Sequence, residues 1–144
     1  MYKEIINNIS DDLSGKTIHL GIFSEPYLTY MLDGKKTIES RFSKKKMLPY
    51  KKITKDDIVV VKESGGNVVA YFTIKDVIFF DLDKTNINEI KDQYSEFLFV
   101  GEDFWDLKKD SKYATLIFID KLTKVTPFHI NKKGMNTWII LKED

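Results

Sequence analysis

Three side chains with complementary chemistry stand close together in the stretch DGKKTIESRF, residues 33–42. Lys36 carries an amine, Glu39 a carboxylate and Arg41 a planar guanidinium. The two cations can bind phosphate or carboxylate groups, and the carboxylate can act as a general base or accept hydrogen bonds from an exocyclic amine. The spacing therefore predicts a site for an anionic ligand. Catalysis is the more demanding alternative, because Lys36 would act as a base only if its pKa were depressed.

Arg41 is the only arginine in a chain with 22 lysines. Since lysine serves every other cationic position, a single guanidinium indicates a need for planar, bidentate bonding to a carboxylate or phosphate. The alternative is a structural ion pair with Glu39, which would contribute at most about 1 kcal/mol if exposed. Both interpretations of Arg41 stay open at the level of sequence.

An apolar run just before these residues predicts a helix. Its expected N-cap is Ser24, and the segment EPYLTYML, residues 25–32, supplies an apolar face at helical spacing. Gly34 follows where a left-handed residue commonly ends a helix. The charged stretch is thus predicted to begin in the turn after this helix.

The charged stretch then continues into a predicted strand that begins near Thr37. Because side chains alternate along a strand, Glu39 and Arg41 would share one face. Lys36 can join them only from the turn that precedes the strand. A site that uses all three side chains therefore requires Lys36 to reach over the start of the strand.

The remaining apolar patterns predict further elements on both sides of the charged stretch. These are an opening helix over Tyr2–Leu13, a strand over Thr17–Phe23, a β-hairpin with its turn at Ser64–Asn67, a helix from Asn86 to about Phe97, a short helix at Glu102–Lys109, and strands over Lys112–Asp120, Lys121–Ile130 and Trp138–Leu141. Helices inserted among many strands predict an α+β fold with a small mixed, mainly antiparallel β-barrel. We expect residues 1–144 to form a single domain, with residues 1–15 as an N-terminal helical extension.

Charge is distributed unevenly along the chain. The whole chain has a net charge of +1, whereas Lys35–Lys55 contains nine basic residues and one acidic residue. Such a segment indicates a local anionic partner, and a solvated lysine-rich loop is the alternative.

Composition excludes several classes of function. The absence of cysteine excludes disulfides, thiolate nucleophiles and cysteine-based zinc sites. His19 and His129 are isolated from each other and have no acidic neighbours at ligand spacing, so we expect no metal. No phosphate-binding or dinucleotide motif is present, and we expect no cofactor. No segment has the apolar length of a membrane span. We expect a cytoplasmic protein, monomeric and without a membrane partner.

The segment GKKTIESR matches the pattern Gly-x-Lys-x-x-Glu-x-Arg, with Gly34 as its first residue. This pattern resembles the signature of the ASCH domain, a branch of the PUA-like superfamily. The likeness extends through HLGIFSEPYLTYML, DIVVVKESGG, YATLIFI and NTWIILK, which follow in the order such domains use. The resemblance implies a PUA-like β-barrel with a few surrounding helices. It also implies a cleft beside the helix-to-strand junction that binds RNA, another nucleic acid or a modified nucleotide.

The resemblance also implies two enzymatic alternatives. Some small bacterial members of the family hydrolyse N4-acylated cytidines with a lysine, a threonine and an acidic residue, and ribonuclease activity has been suggested for others. The lysine corresponds to Lys36, but the threonine position is occupied by Glu39, which cannot supply a hydroxyl nucleophile. Glu102 is the candidate for the acidic residue. The departure at Glu39 favours recognition over catalysis.

Further candidate contacts with a nucleic acid lie outside the motif. Side chains after the strand could contact phosphate oxygens, backbone N–H groups of the hairpin turn could bind an anion, and two aromatic rings flanked by polar residues could stack on bases. The side chains after the strand are those of Ser43, Lys44 and Lys45. The turn residues are Ser64, Gly65 and Gly66, and the two rings are Trp105 and Tyr113. A solvated loop, a tight hairpin turn and a packed core explain the same residues without a ligand. A third hypothesis for the whole chain is a protein-interaction domain whose basic segment contacts an acidic partner.

Overall fold

Six strands form one mixed sheet in the computed structural model, which describes all residues from 1 to 144. The strands are β1 (Ile18–Phe23), β2 (Ile38–Ser43), β3 (Ile58–Glu63), β4 (Val68–Asp81), β5 (Tyr113–Phe128) and β6 (Trp138–Lys142). The helices are α1 (Tyr2–Asn8), α2 (Tyr27–Leu32), α3 (Ile87–Leu98) and α4 (Glu102–Lys108). None of these helices has the length and apolar character needed to cross a bilayer.

The strand order in the sheet is β2-β5-β4-β3-β1-β6. Only β1 and β3 run parallel, and every other pair is antiparallel. The pairing of the two long strands β4 and β5 shifts register at three places, and such irregularities bend and twist a sheet. The sheet curls into a half-barrel that brings β2 close to β1. The predicted α+β fold with a mainly antiparallel, barrel-like sheet is confirmed.

Apolar side chains cover both faces of the sheet, which is why β3 is buried along most of its length. One cluster lies inside the curl and includes Phe23, Phe72 and Trp138. A second cluster covers the outer face of β1, β3 and β4 with residues from the N-terminal segment. A third cluster packs α3 and α4 against β2 and β5. In β2, Ile38 and Phe42 face the third cluster.

The β3–β4 hairpin and helix α3 form where the sequence predicts them. β3 and β4 are joined by the turn at Ser64–Asn67, in which Gly65 has the left-handed φ of 71°. Gly66 does not use this conformation. Asn86 caps α3, because its side-chain oxygen accepts a hydrogen bond from the backbone N–H of Asn88 at 2.9 Å.

The opening helix is shorter than predicted. It ends at Asn8, and Ile9 is already extended, with φ of −112° and ψ of 119°. Ile9 and Leu13 still reach the core, but from an extended segment instead of a helical stripe, and Ile6 is left exposed. Burial against the sheet, not helical periodicity, explains these apolar positions.

Two further sequence predictions are wrong in detail. The strands predicted on either side of Lys121 are one continuous strand, β5, in which Lys121 adopts a left-handed φ of 48°. Ser24 does not cap α2 with its side chain. The nearby Glu25 carboxylate instead accepts a hydrogen bond from the backbone N–H of Thr29 at 2.7 Å.

Candidate functional site

The turn between α2 and β2 places Lys36 where the motif requires it. Gly34 has a left-handed φ of 77° at the end of α2. The backbone N–H groups of Lys35 and Lys36 both donate to the carbonyl oxygen of Tyr30, at 2.9 and 3.0 Å. Lys36 therefore precedes β2 and is free of its alternation, as a site that uses all three side chains requires.

Lys36 is buried, with 3% of its surface exposed. Its Nζ donates a hydrogen bond to the carbonyl oxygen of Leu98 at 2.8 Å and lies 3.6 Å from Oε1 of Glu39. The amine also lies 5.6 Å from the ring centre of Tyr27. Burial lowers the pKa of Lys36 below its usual range, and the nearby Glu39 carboxylate opposes part of this shift.

Glu39 lies between the two cations of the motif and is also buried. Its Oε1 accepts a hydrogen bond from the backbone N–H of Ser40 at 2.9 Å, and its Oε2 lies 3.2 Å from Nη2 of Arg41. The shared strand face predicted for Glu39 and Arg41 is thus observed, and it points into the curl of the sheet. One carboxylate compensates two positive side chains.

Arg41 reaches across the opening of the half-barrel. Its Nη2 donates to the carbonyl oxygen of Ile22 in β1 at 2.8 Å, and its Nη1 donates to that of Thr137 at 3.4 Å. The guanidinium lies 4.7 Å from the ring centre of Phe23 and 5.1 Å from that of Trp138. With 17% of its side chain exposed, Arg41 forms the structural ion pair with Glu39 and also borders solvent.

Lys36, Glu39 and Arg41 line one cleft of about 290 Å³ that we call the motif cleft. Its other lining residues are Ile22, Phe23, Ser24, Tyr27, Ser40, Phe42, Phe104, Lys108 and Thr137. Three cations and one carboxylate give it a net positive charge, and aromatic rings form part of its walls. Its chemistry suits an anionic ligand that also has a flat apolar part.

A larger cavity of about 910 Å³ lies next to the motif cleft, and we call it the aromatic cavity. Its lining residues are Pro26, Tyr27, Tyr30, Ser95, Glu96, Phe99, Val100, Gly101, Glu102, Asp103 and Phe104. Tyr27 and Phe104 belong to both linings. The two spaces are adjacent, but the lining of the motif cleft has a net positive charge, whereas all charged residues in the lining of the aromatic cavity are acidic.

Glu102 is not part of the arrangement around Lys36. It lies at the start of α4, lines the aromatic cavity and forms an ion pair with Lys91, whose Nζ is 2.7 Å from its Oε2. Its side chain is 74% exposed. The structure therefore does not bring Glu102 into the motif cleft with Lys36 and Glu39.

The predicted phosphate contacts after the motif also lie outside the cleft lining. Ser43 ends β2, and its hydroxyl donates to the carbonyl oxygen of Lys45 at 2.7 Å. Lys44 and Lys45 are exposed. They can add to a positive surface, but they do not shape the cleft.

The hairpin turn has little capacity to bind an anion. The backbone N–H of Ser64 donates to the carbonyl oxygen of Phe23 at 2.8 Å, and that of Gly66 donates to Glu63 at 2.9 Å. Only Gly65 among the three predicted donors lacks such a bond. The turn geometry accounts for these residues without a ligand.

The two predicted stacking rings have different surroundings. Trp105 is 6% exposed, and its Nε1 donates to the hydroxyl of Ser95 at 2.9 Å. Since it packs among core aromatics, its ring is not open for stacking on bases in this structure. Tyr113 is half-buried beside Tyr50, with ring centres 4.9 Å apart, and Lys46 lies over its ring. Tyr113 therefore contacts residues of the basic segment Lys35–Lys55 and does not line the motif cleft.

Sequence reasoning identified only Lys36, Glu39 and Arg41 among the residues of the cleft, and it missed Phe104 and Lys108 on α4. They stand four residues apart on α4, and the Nζ of Lys108 lies 5.4 Å from the ring centre of Phe104. Residues at this spacing share one face of a helix, so the sequence could have identified Phe104 and Lys108 as neighbours on α4. Its position beside β2 depends on tertiary packing.

A buried polar chain supports Trp138, which contacts Arg41. Trp138 Nε1 donates to Nδ1 of His19 at 3.1 Å, so the other ring nitrogen, Nε2, carries the proton and donates to Oδ2 of Asp57 at 2.8 Å. Burial lowers the pKa of His19, although Asp57 opposes the shift. His19 is fully buried, and both of its ring nitrogens have a hydrogen-bond partner.

Comparison with known proteins identifies the fold. The chain is similar to the crystal structure of ASCH from Zymomonas mobilis, at 13% sequence identity over 87% of each chain with a TM-score of 0.70. It is also similar to structures of two mutants of that protein, one with Tyr replaced by Phe and one with Ser replaced by Ala. The Tyr-to-Phe mutant has 14% sequence identity, and the match covers 87% of this chain and 90% of the mutant chain. The Ser-to-Ala mutant has 13% sequence identity, and the match covers 87% of this chain and 88% of the mutant chain. Both matches have a TM-score of 0.69. No family model and no curated protein matches the sequence. The chain has the fold of ASCH domain proteins, as the motif predicted.

Proposed function

On the basis of this ASCH-type fold, we propose that the protein recognises nucleic acid, RNA in the first place, or a modified nucleotide through the motif cleft. The observation that carries the proposal is the convergence of Lys36, Glu39 and Arg41 in one solvent-reaching cleft beside aromatic rings. Cations suit the phosphate, ring surfaces suit the base, and a carboxylate can accept hydrogen bonds from an exocyclic amine.

Lys108 is the cleft cation best suited to contact phosphate. Lys36 already donates to the carbonyl oxygen of Leu98 and forms an ion pair with Glu39, and Arg41 donates to two carbonyl oxygens and to Glu39. Lys108 forms no ion pair and is only half-buried, at the end of α4. The first two cations therefore set the shape and potential of the cleft, while Lys108 has a charge available for a ligand.

Binding of a fluorescent single-stranded RNA, measured by anisotropy over a series of salt concentrations, tests this proposal. Lys108→Ala should weaken binding severalfold and reduce the slope of log affinity against log salt by about 0.7, the contribution of one phosphate contact on a single strand. Lys109→Ala is the matched control, because Lys109 is exposed, adjacent and outside the cleft lining. Equal losses in both variants, or no binding at low salt, would overturn the proposal.

A second candidate function is hydrolysis of an N4-acylated cytidine. The observation that favours it is the burial of Lys36, which lowers its pKa as a catalytic base requires. Water would add to the acyl carbon with Lys36 accepting its proton, and the C–N bond would then break as that proton passes to the leaving amine. The products would be cytidine and a carboxylic acid.

Incubation with N4-acetylcytidine followed by product analysis tests the hydrolase candidate. Loss of turnover in Lys36→Met, with turnover kept in Lys35→Met, would support it; Lys35 is the exposed neighbour. No deacetylation, or full turnover in Lys36→Met, would remove it. Strand-cleavage products from RNA that vanish in the same variant would indicate ribonuclease activity instead.

Three predictions about the cellular setting remain alongside the proposal: a cytoplasmic location, a monomeric state and an alternative acidic protein partner for Lys35–Lys55. If a protein partner is the true ligand, RNA should bind only weakly and without preference. In that case alanine substitutions at Lys44 and Lys45 should reduce the residual RNA binding as much as Lys108→Ala does.

A further inference from the structure

The aromatic cavity is about three times as large as the motif cleft. Its volume of about 910 Å³ lies near the upper end of the range typical of small-molecule sites, roughly 300–1,000 Å³. The function proposed for the motif cleft does not use this space.

Two pairs of aromatic rings form much of the lining. Tyr30 and Phe99 meet edge to face with ring centres 4.8 Å apart at 71°. Tyr27 and Phe104 make a similar contact at 5.9 Å and 71°. Tyr30 and Phe99 contact only the aromatic cavity, whereas the other pair forms the wall shared with the motif cleft. The rings thus present a preformed aromatic surface.

Phe99 is held at the cavity in an unusual way. It has a left-handed backbone conformation, with φ of 57° and ψ of 52°, immediately after α3. This conformation is unfavourable for a bulky residue, and 41% of Phe99 is nevertheless exposed. A large apolar ring is kept at the solvent boundary where its face can meet a ligand.

The charged residues of the lining are all acidic. Glu96, Glu102 and Asp103 are exposed at the cavity, and no basic residue belongs to the lining. Lys91 compensates Glu102, which leaves the other two carboxylates without an ion-pair partner. Lys36, behind the shared wall, is compensated by Glu39 and the Leu98 carbonyl oxygen. The charged residues of the lining itself therefore favour a positive ligand, while Lys108 lies over Phe104 and lines only the motif cleft.

We propose that the aromatic cavity binds an organic cation, in the form of an ammonium group carried on an apolar body. Aromatic faces attract ammonium groups through their quadrupoles, and this attraction strengthens when the cation is desolvated between rings. The carboxylates of Glu96 and Asp103 add charge complementarity at the rim. This site and the proposed nucleotide site share only Tyr27 and Phe104 in their linings, and their proposed ligands have opposite charges.

Titration with choline, followed by the backbone amide signals of the protein, tests the proposal. The matched probe is 3,3-dimethylbutan-1-ol, which has nearly the same shape as choline but no charge. Choline should shift the signals of residues 95–104, and the neutral alcohol should bind about fivefold to tenfold more weakly. RNA binding is measured in a separate titration of the same protein, so that failure of choline binding is distinguishable from failure of RNA binding.

Ring substitutions identify the place of binding. Phe99→Leu and Tyr30→Leu should each weaken choline binding severalfold, while Phe97→Leu should not, because Phe97 is equally exposed but lies outside the lining. Two independent ring variants keep the test decisive if one of them folds poorly. Equal binding of choline and the alcohol, equal loss in Phe97→Leu, or no shifts across the millimolar range would overturn the proposal.

Discussion

Arg41 Nη2 donates a hydrogen bond of 2.8 Å to the carbonyl oxygen of Ile22, and this bond joins two strands that are not neighbours in the sheet. β2 and β1 are separated by β5, β4 and β3 in the strand order. The side chain of Arg41 therefore closes the half-barrel at the point where backbone pairing is missing. The same side chain lines the motif cleft, so closure of the fold and formation of the site are coupled.

Replacement of Arg41 should destabilise the fold. Arg41→Ala removes hydrogen bonds from a charged donor to the carbonyl oxygens of Ile22 and Thr137, and it leaves Glu39 without its closest cation. We expect the free energy of unfolding in urea to fall by about 1.5–3 kcal/mol. Lys44→Ala, an exposed substitution on the following loop, should change it by less than about 0.5 kcal/mol. Equal effects of the two substitutions would show that the contacts of Arg41 do not hold the barrel together.

Lys36 should give the protein a stability that rises with pH in alkaline solution. Because the pKa of Lys36 is lowered on folding, the unfolded chain binds more protons between the folded pKa and about 10.5. Stability increases with pH wherever the unfolded state binds more protons. Lys36→Met should flatten this rise, whereas Lys35→Met at the exposed neighbouring position should keep it. Urea unfolding over the alkaline range measures the slope, and an unchanged slope in Lys36→Met would refute the assignment.

His19 should make the protein sensitive to acid. Its lowered pKa means that stability is lost as pH falls below about 6.5 toward the folded pKa, by at most about 1.4 kcal/mol per pH unit for one proton. Protonation also removes the acceptor that Nδ1 offers to Trp138. His19→Gln should flatten the acid dependence while lowering stability near neutral pH. His129→Gln is the control, because His129 is exposed and makes no contact with His19, Asp57 or Trp138 in this hydrogen-bond network. Parallel acid profiles for the wild type and His19→Gln would contradict the prediction.

Trp105 should be important for packing and not for RNA. Trp105→Phe removes its hydrogen bond to Ser95 and should lower the free energy of unfolding by about 1 kcal/mol. RNA affinity measured by anisotropy should stay unchanged, because Trp105 is buried away from solvent. A marked loss of RNA affinity without a change in stability would mean that Trp105 becomes accessible during binding.

The motif was predictable from sequence because its geometry is local. Gly34 ends a helix, Lys36 lies in the turn, and Glu39 and Arg41 share a strand face through simple alternation. The partners that give Arg41 its role were not predictable. Ile22 and Thr137 lie 19 and 96 residues away in sequence, and only the curl of the sheet brings them to the guanidinium.

Similar physics explains the other errors. Ile9 and Leu13 are apolar because they cover the sheet, and a helical stripe was only one way to place them there. Polar residues around Trp105 suggested exposure, but the packing of α4 on β2 buries its ring. Burial set by tertiary contacts overrides local patterns at each of these positions.

Mapping the backbone amide signals of the protein during titration with a short single-stranded RNA tests the central claim most directly. If the motif cleft binds a nucleotide unit, the largest shifts should fall on Tyr27, residues 39–42, Phe104 and Lys108, and Lys108→Ala should reduce them. Shifts confined to residues 44–55 and Tyr113 would show that RNA contacts only the basic segment, and they would contradict recognition by the cleft.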